Sequence, residues 1–141
     1  MYTSPNTNVD LHLLIVNDDA VARRLLVQLL KEVGYIKVSE AADGEMALRS
    51  FKAARAIGAP IDFVITDCAM PLMDGLDLIR EIRQDAQLRS IPVLMVNAVA
   101  TTDTILRAAK AGVDGYLVKP FTSAKLGHKI EQLLAKYELH A

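Results

Sequence analysis

The chain has 141 residues, 52% hydrophobic and 23% charged, with 16 basic and 17 acidic side chains for a net charge of −1. That is enough chain for one domain with a real core and too little for two, and its charge balance excludes the basic footprint of a nucleic-acid or membrane-surface binder. The only cysteine, Cys68, excludes an internal disulfide and a cysteine zinc cluster; with no apolar run near the roughly 20 residues of a membrane span and no signal pattern in Met1-Tyr2-Thr3-Ser4-Pro5-Asn6, a reduced, cytoplasmic domain is expected.

Residues 1–10 are polar and rich in Pro and Asn, and read as a flexible arm ahead of a domain spanning 11–141. Leu11 to Val16 is a first strand that runs into Asn17-Asp18-Asp19. From Val21 the period changes to that of a helix, with Val21, Leu25, Leu29 and Val33 on one stripe, Arg23 and Arg24 on a solvated face, and Gly34 as a left-handed stop. Tyr35 to Ser39 alternates as a second strand. Asp43-Gly44 then starts a helix carrying Ala47, Leu48, Phe51 and Ala54, closed by Gly58-Ala59-Pro60.

The third strand is the most apolar approach to a polar end. Of the six residues before Asp67, four are Ile61, Phe63, Val64 and Ile65, a composition suited to a strand buried on both faces of a parallel sheet. Pro71 ends it, and Asp74-Gly75 caps a helix using Leu78, Ile79 and Ile82. Pro92 opens a fourth strand, Val93 to Val96, followed by Asn97. Thr101 or Thr102 caps a helix with apolar Ile105, Leu106 and Ala109, ended by Gly112. Gly115 to Val118 is a brief fifth strand before Lys119-Pro120, and Thr122 caps a last helix in which Leu126, Ile130, Leu133 and Tyr137 share a face. The chain ends four residues after Tyr137, which leaves no room here for an output domain.

Strands alternating with helices, each strand a solid apolar run, imply an α/β fold: a three-layer, doubly wound, five-stranded parallel sheet with right-handed crossovers. In such sheets ligands bind outside the carboxyl ends of the strands. Asp18, Asp19, Asp67, Asn97 and Lys119 all follow or end strands at that edge. A lone Asp at a strand end more often caps the next loop, but convergence from four strands makes chance placement much less likely. Clustered carboxylates repel unless a cation joins them, and oxygen ligands without Cys or His suit Mg²⁺. A lysine across the cleft can meet phosphate oxygens, and an ionised Asp can accept a phosphoryl group.

The segments Leu14-Ile15-Val16-Asn17-Asp18-Asp19, Thr66-Asp67-Cys68-Ala69-Met70-Pro71-Leu72-Met73-Asp74-Gly75, Pro92 to Ala98 and Gly115-Tyr116-Leu117-Val118-Lys119-Pro120-Phe121 resemble the receiver domain of bacterial two-component response regulators, in its single-domain, CheY-like chemotaxis form. The likeness covers residues 11 to 137. It implies the flavodoxin-like strand order 2-1-3-4-5, which comes with the family; hydrophobic patterning alone leaves the order open. It further implies that Asp67 is the phosphoacceptor, that Asp18, Asp67 and the Ala69 carbonyl hold Mg²⁺, that Lys119 and residue 97 contact the phosphoryl group, and that the Lys119-Pro120 bond is cis. Tyr116 would be the switch residue on the face of the fourth helix, fifth strand and fifth helix, where a downstream protein binds. The phosphodonor would be a sensor histidine kinase or phosphotransfer protein. Such a protein is not an enzyme acting on a separate substrate; it catalyses its own phosphorylation and dephosphorylation. No nucleic acid or membrane partner is implied.

Two positions depart from the family. Asn17 stands where an acid is usual, so weaker Mg²⁺ binding is expected; Asp19 could compensate, although an exposed helix cap is its simpler role. Asn97 stands where Ser or Thr is usual, which puts coupling between the acceptor and Tyr116 in question. Ala69 and Val99 are apolar and offer no help in orienting a hydrolytic water. These departures keep open a receiver-like binding module that ignores phosphate. An Asp-nucleophile phosphatase of the haloacid dehalogenase type is disfavoured, because the second acid it needs two residues after the nucleophile is Ala69 here. Cys68 is expected to be a small core residue, and His12, His128 and His140 to lack catalytic or metal roles.

Overall fold

The computed structural model of the protein describes residues 9–68 and 73–139. The arm expected over residues 1–10 falls largely outside them; Val9 and Asp10 are an exposed turn. Five strands, β1 (Leu13–Val16), β2 (Val38–Ala41), β3 (Phe63–Asp67), β4 (Val93–Asn97) and β5 (Gly115–Val118), alternate with five helices, α1 (Ala20–Glu32), α2 (Gly44–Ala56), α3 (Gly75–Gln84), α4 (Thr102–Ala111) and α5 (Ser123–Leu139). All pairings are parallel and the order is β2-β1-β3-β4-β5, as the family likeness implied.

Because side chains alternate across a strand, each apolar strand feeds two cores. Leu13, Ile15, Phe63, Ile65, Leu94 and Val96 join Leu26, Leu30, Leu126 and Ile130 on the face covered by α1 and α5. Leu14, Val16, Val64, Val93 and Met95 join Phe51, Ile79, Ile82 and Ala108 on the face covered by α2, α3 and α4. The three middle strands are therefore buried on both sides, the physical reason for their unbroken hydrophobic runs.

Three sequence expectations are corrected. In α1 the buried row is Leu26, Leu30 and Val33, while Val21 and Leu25 are 79% and 60% exposed. The helix carries two apolar rows, and periodicity alone does not say which one faces the sheet. In α4 the buried residues are Ala108 and Ala111, whereas Ile105 and Leu106 are exposed. Small side chains at Ala108 and Ala111 let α4 pack against α3 over the shared core, while its larger residues turn outward. The second strand is Val38–Ala41 and not Tyr35–Ser39, because Tyr35 belongs to the end of α1: the Gly34 and Tyr35 N–H groups donate to the Lys31 and Leu30 carbonyls, with Gly34 at φ 101°.

The edge opposite the candidate site is held by polar groups that sequence patterning does not single out. Arg83 Nη2 pairs with Asp114 Oδ2 at 2.7 Å, the Val93 N–H donates to the same oxygen at 2.7 Å, and the Tyr137 hydroxyl donates to Asp114 Oδ1 at 2.9 Å. His12 bridges two elements, with Nδ1 2.8 Å from the Ala59 carbonyl oxygen and Nε2 2.7 Å from Ser39 Oγ, and so is a structural staple.

Tyr35 is 1% exposed, and its hydroxyl has no hydrogen-bond partner among the described residues. Burial, aided by the Glu131 charge, pushes its phenol up to about 12 from the ordinary 10.0. Tyr35→Phe removes an unpaired buried polar atom and should raise the unfolding free energy at neutral pH by about 1 kcal/mol. The raised pKa keeps the folded phenol protonated, so its contribution is full below pH 10 and is lost as pH rises through about 12. Urea unfolding of parent and variant at pH 7 and pH 11 should show a larger gap at the higher pH; a less stable Tyr35→Phe would overturn this account.

Candidate functional site

The parallel register brings the carboxyl ends of the strands level. Val16 pairs with Thr66, Asp67 with Val96, and Asn97 with Val118, so Asn17, Asp67, Asn97 and Lys119 emerge along one edge. Asp67 is the last residue of β3 and is half-buried. Its Oδ1 accepts the Cys68 N–H at 2.7 Å, and its Oδ2 accepts both Lys119 Nζ at 3.1 Å and Asn17 Nδ2 at 3.2 Å. A carboxylate taken partly out of water is thus satisfied by three donors, one of them cationic, which is the condition for keeping it charged there.

The start of α3 lies against the end of β3. The Gly75 N–H donates to the Cys68 carbonyl at 2.8 Å, and Asp74 caps the helix by accepting from the Asp77 N–H. A Cβ at Gly75 would run into the Asp67 carbonyl oxygen, so only glycine lets α3 begin this close to the end of β3. Cys68 is half-buried against the core, and burial above all, with Asp74 and Asp67 adding, raises its thiol pKa; it stays a protonated packing residue.

Asn17 is 2% exposed and every polar group it has is used. Its N–H donates to the Ala41 carbonyl at 3.0 Å, its own carbonyl accepts Arg23 Nη1 at 2.7 Å, Oδ1 accepts the Asp19 N–H at 2.9 Å, and Nδ2 reaches Asp67. Asp19 is the exposed N-cap of α1, its carboxylate accepting from the Val21 and Ala22 N–H groups, and so does not join the site. Asp18 is exposed, and among the described residues nothing pairs with its carboxylate. Ala69, with Met70, Pro71 and Leu72, lies outside the described residues.

Asn97 ends β4 at the edge, but its Oδ1 accepts the following Ala98 N–H at 2.9 Å; no hydrogen bond joins it to Asp67 among the described residues. The Lys119 N–H donates to the Asn97 carbonyl at 2.9 Å, which fixes the root of the lysine. The Lys119-Pro120 peptide is cis. Tyr116, half-buried on β5, donates its hydroxyl to the Val99 carbonyl at 2.5 Å. The residue that sequence reasoning misplaced is Arg23. It was expected on a solvated face, yet its side chain is only 17% exposed and bonds Asn17 and Glu40; its spacing in α1 gives no hint of this.

The donor set fits a hard divalent ion. Two carboxylates, Asp18 and Asp67, stand at one edge, one of them unpartnered, and among the described residues no cluster of three or more His, Cys, Asp or Glu forms an all-protein metal cage. Few protein ligands with room for water and phosphate is the mode of Mg²⁺.

The model of the response regulator receiver domain matches residues 13–131. This chain belongs to the response regulator receiver family. The chemotaxis protein CheY of Pseudomonas aeruginosa is 44% identical over 124 residues, 88% of this chain and 96% of the relative. The receiver domain of a sensor histidine kinase from the same organism, solved with a magnesium ion coordinated in the active site cleft, has a TM-score of 0.77 at 30% identity, over 89% of this chain and 98% of that one. A CheX–CheY–BeF₃–Mg²⁺ complex from Borrelia burgdorferi gives 0.77 at 27% identity, over 88% and 89%. This receiver domain thus supports a role in phosphorylation-dependent two-component signalling. No helix among the described residues is long and apolar enough to cross a membrane.

Gly75→Ala tests how closely α3 approaches the end of β3. Alanine normally stabilises a helix by about 1 kcal/mol relative to glycine. Here the collision with the Asp67 carbonyl should reverse the sign, costing about 1–3 kcal/mol in urea unfolding. A gain in stability would contradict this geometry.

Proposed function

We propose that Asp67 accepts a phosphoryl group from the phosphohistidine of a sensor histidine kinase or phosphotransfer protein in a Mg²⁺-dependent reaction, and that the chain is a cytoplasmic signalling switch and not an enzyme with a separate substrate. The observation that carries this reading is the Asp67 carboxylate, half-buried at the ligand edge of the sheet with Lys119 3.1 Å from Oδ2.

An Asp67 oxygen attacks phosphorus as the phosphorus–nitrogen bond to the donor imidazole breaks, and the imidazole nitrogen leaves with its electron pair and takes up a proton. The product is an acyl phosphate. Lys119, already on Oδ2, neutralises the arriving oxygens, and Asn17 Nδ2 steadies the oxygen that does not attack. Asp18, Asp67 and the Ala69 carbonyl would hold Mg²⁺, which when bound offsets charge on the phosphoryl oxygens. Ala69 and Val99 bring no polar side chain to orient a hydrolytic water, which favours a lasting phosphoform. A downstream protein target would dock on the α4, β5 and α5 face, where Val99, Leu106 and Val118 are exposed beside Tyr116; the CheX-bound CheY of Borrelia burgdorferi is a relative that assembles with a protein.

A second reading, a binding module indifferent to phosphate, is favoured by one observation. Asn97 Oδ1 accepts the Ala98 N–H and the Tyr116 hydroxyl donates to the Val99 carbonyl, so neither side chain is bonded to Asp67 among the described residues.

Acetyl phosphate with Mg²⁺ should label the parent and leave Asp67→Asn unlabelled, read by intact mass; labelling of both, or of neither, would sink the phosphoacceptor assignment. If nuclear magnetic resonance of the beryllofluoride-treated parent shifts residues around Asp67 but leaves the Tyr116 ring unmoved, the second reading holds. Asn17→Asp adds a carboxylate and deletes a donor to Asp67, so it should tighten Mg²⁺ by about tenfold in calorimetric titration. Equal affinity would mean that the amide costs the site nothing.

A further inference from the structure

We propose that Arg23 is a positioning residue for the Mg²⁺-binding turn, acting through the main chain of Asn17 to hold Asp18 in place. The inference rests on the phosphoacceptor reading above and extends it to a residue on α1 that touches neither the metal ligands nor the acceptor.

Asn17 lies just past the β1 ladder, where its N–H still reaches the Ala41 carbonyl of β2 but its own carbonyl has no strand to pair with. At 2% exposure that carbonyl needs a donor from within the protein. Arg23 supplies it at 2.7 Å through Nη1, while its Nε pairs with Glu40 Oε1 on β2 at 3.2 Å. The planar guanidinium makes both bonds at once, so it ties α1, the end of β1 and β2 into one unit, a geometry a lysine cannot copy.

Its effect falls on Asp18. The peptide unit that joins Asn17 to Asp18 is fixed at its oxygen by Arg23, and the next unit, joining Asp18 to Asp19, is fixed at its N–H by Asn17 Oδ1 at 2.9 Å. Asp18 is therefore held on both sides through its backbone while its carboxylate stays unpartnered among the described residues. A ligand oxygen placed before the ion arrives is preorganisation of the kind that supporting hydrogen bonds give a metal site. Glu40 balances the guanidinium, so the brace does not set a bare cation beside the ion.

Two effects of removing Arg23 oppose each other, and their sign decides the matter. Loss of a positive charge alone would tighten Mg²⁺; loss of the brace would weaken it. On the full chain, Arg23→Met should raise the Mg²⁺ dissociation constant about tenfold in calorimetric titration, the usual size for removing a supporting partner. Arg23→Lys should recover less than half of that loss, and Glu40→Gln, which keeps the bond to Asn17, should move it by less than about threefold. In metal-free protein, hydrogen exchange at the Asp19 N–H should quicken about tenfold in Arg23→Met while the Ile65 N–H in β3 is unchanged. Mg²⁺ binding as tight as the parent's or tighter overturns the proposal, as does unchanged Asp19 exchange or an equal rise at Ile65. Should the parent not bind Mg²⁺ at all, the phosphoacceptor reading fails, and the metal-free exchange of Asp19 still decides whether Arg23 braces the turn.

Discussion

The structure turns on one half-buried carboxylate and the donors that satisfy it. Asp67 ends a strand buried on both faces, and a charge in that position persists only if partners from elsewhere in the chain reach it. Lys119 comes from the end of β5, Asn17 from the end of β1, and the Cys68 N–H from the turn that follows. Each partner sits where it does because parallel strands in register finish at the same edge. The sheet is in this sense a device for delivering the ends of distant segments to a single point.

That arrangement also explains the division of labour around the sheet. Strand residues pointing to either face are spent on packing, in the α1/α5 core or in the α2/α3/α4 core, and chemistry is left to the residues just beyond the ladder. The opposite edge carries polar groups of another kind. Arg83, Asp114 and Tyr137 are bonded to one another and to backbone atoms, and they close the ends of α3, α4 and α5. Polar clusters at the two edges look alike in composition. What separates them is satisfaction: at the closing edge both Asp114 oxygens are engaged, whereas at the ligand edge the Asp18 carboxylate stands free of partners among the described residues.

The two asparagines at this edge of the receiver domain do different things. Asn17 brings a hydrogen-bond donor to Asp67 directly, so that carboxylate is steadied by an amide of the same chain. Asn97 turns back onto its own loop through Ala98. The bond that steadies Asp67 and the bond that anchors Tyr116 on Val99 thus come from different residues.

The order of amino acids was enough to specify the alternation of strands and helices, the parallel sheet, the helix caps at Asp43 and Asp74, and the placing of Asp67, Asn17, Asn97 and Lys119 after strands; the cap of α4 it narrowed to Thr101 or Thr102, and the structure uses Thr101. Those features are local: period, turn chemistry and apolar runs are written in neighbouring residues. Packing across the fold settled which of two apolar rows of α1 faces the sheet, that α4 buries Ala108 and Ala111 and exposes Ile105 and Leu106, and that Tyr35 closes the turn after α1 and is not part of a strand. The same holds for Arg23, which stands among exposed residues in the sequence and becomes half-buried only because the Asn17 carbonyl and Glu40 meet beside it. Such outcomes depend on which surfaces come together in three dimensions, and no window of adjacent residues carries that information.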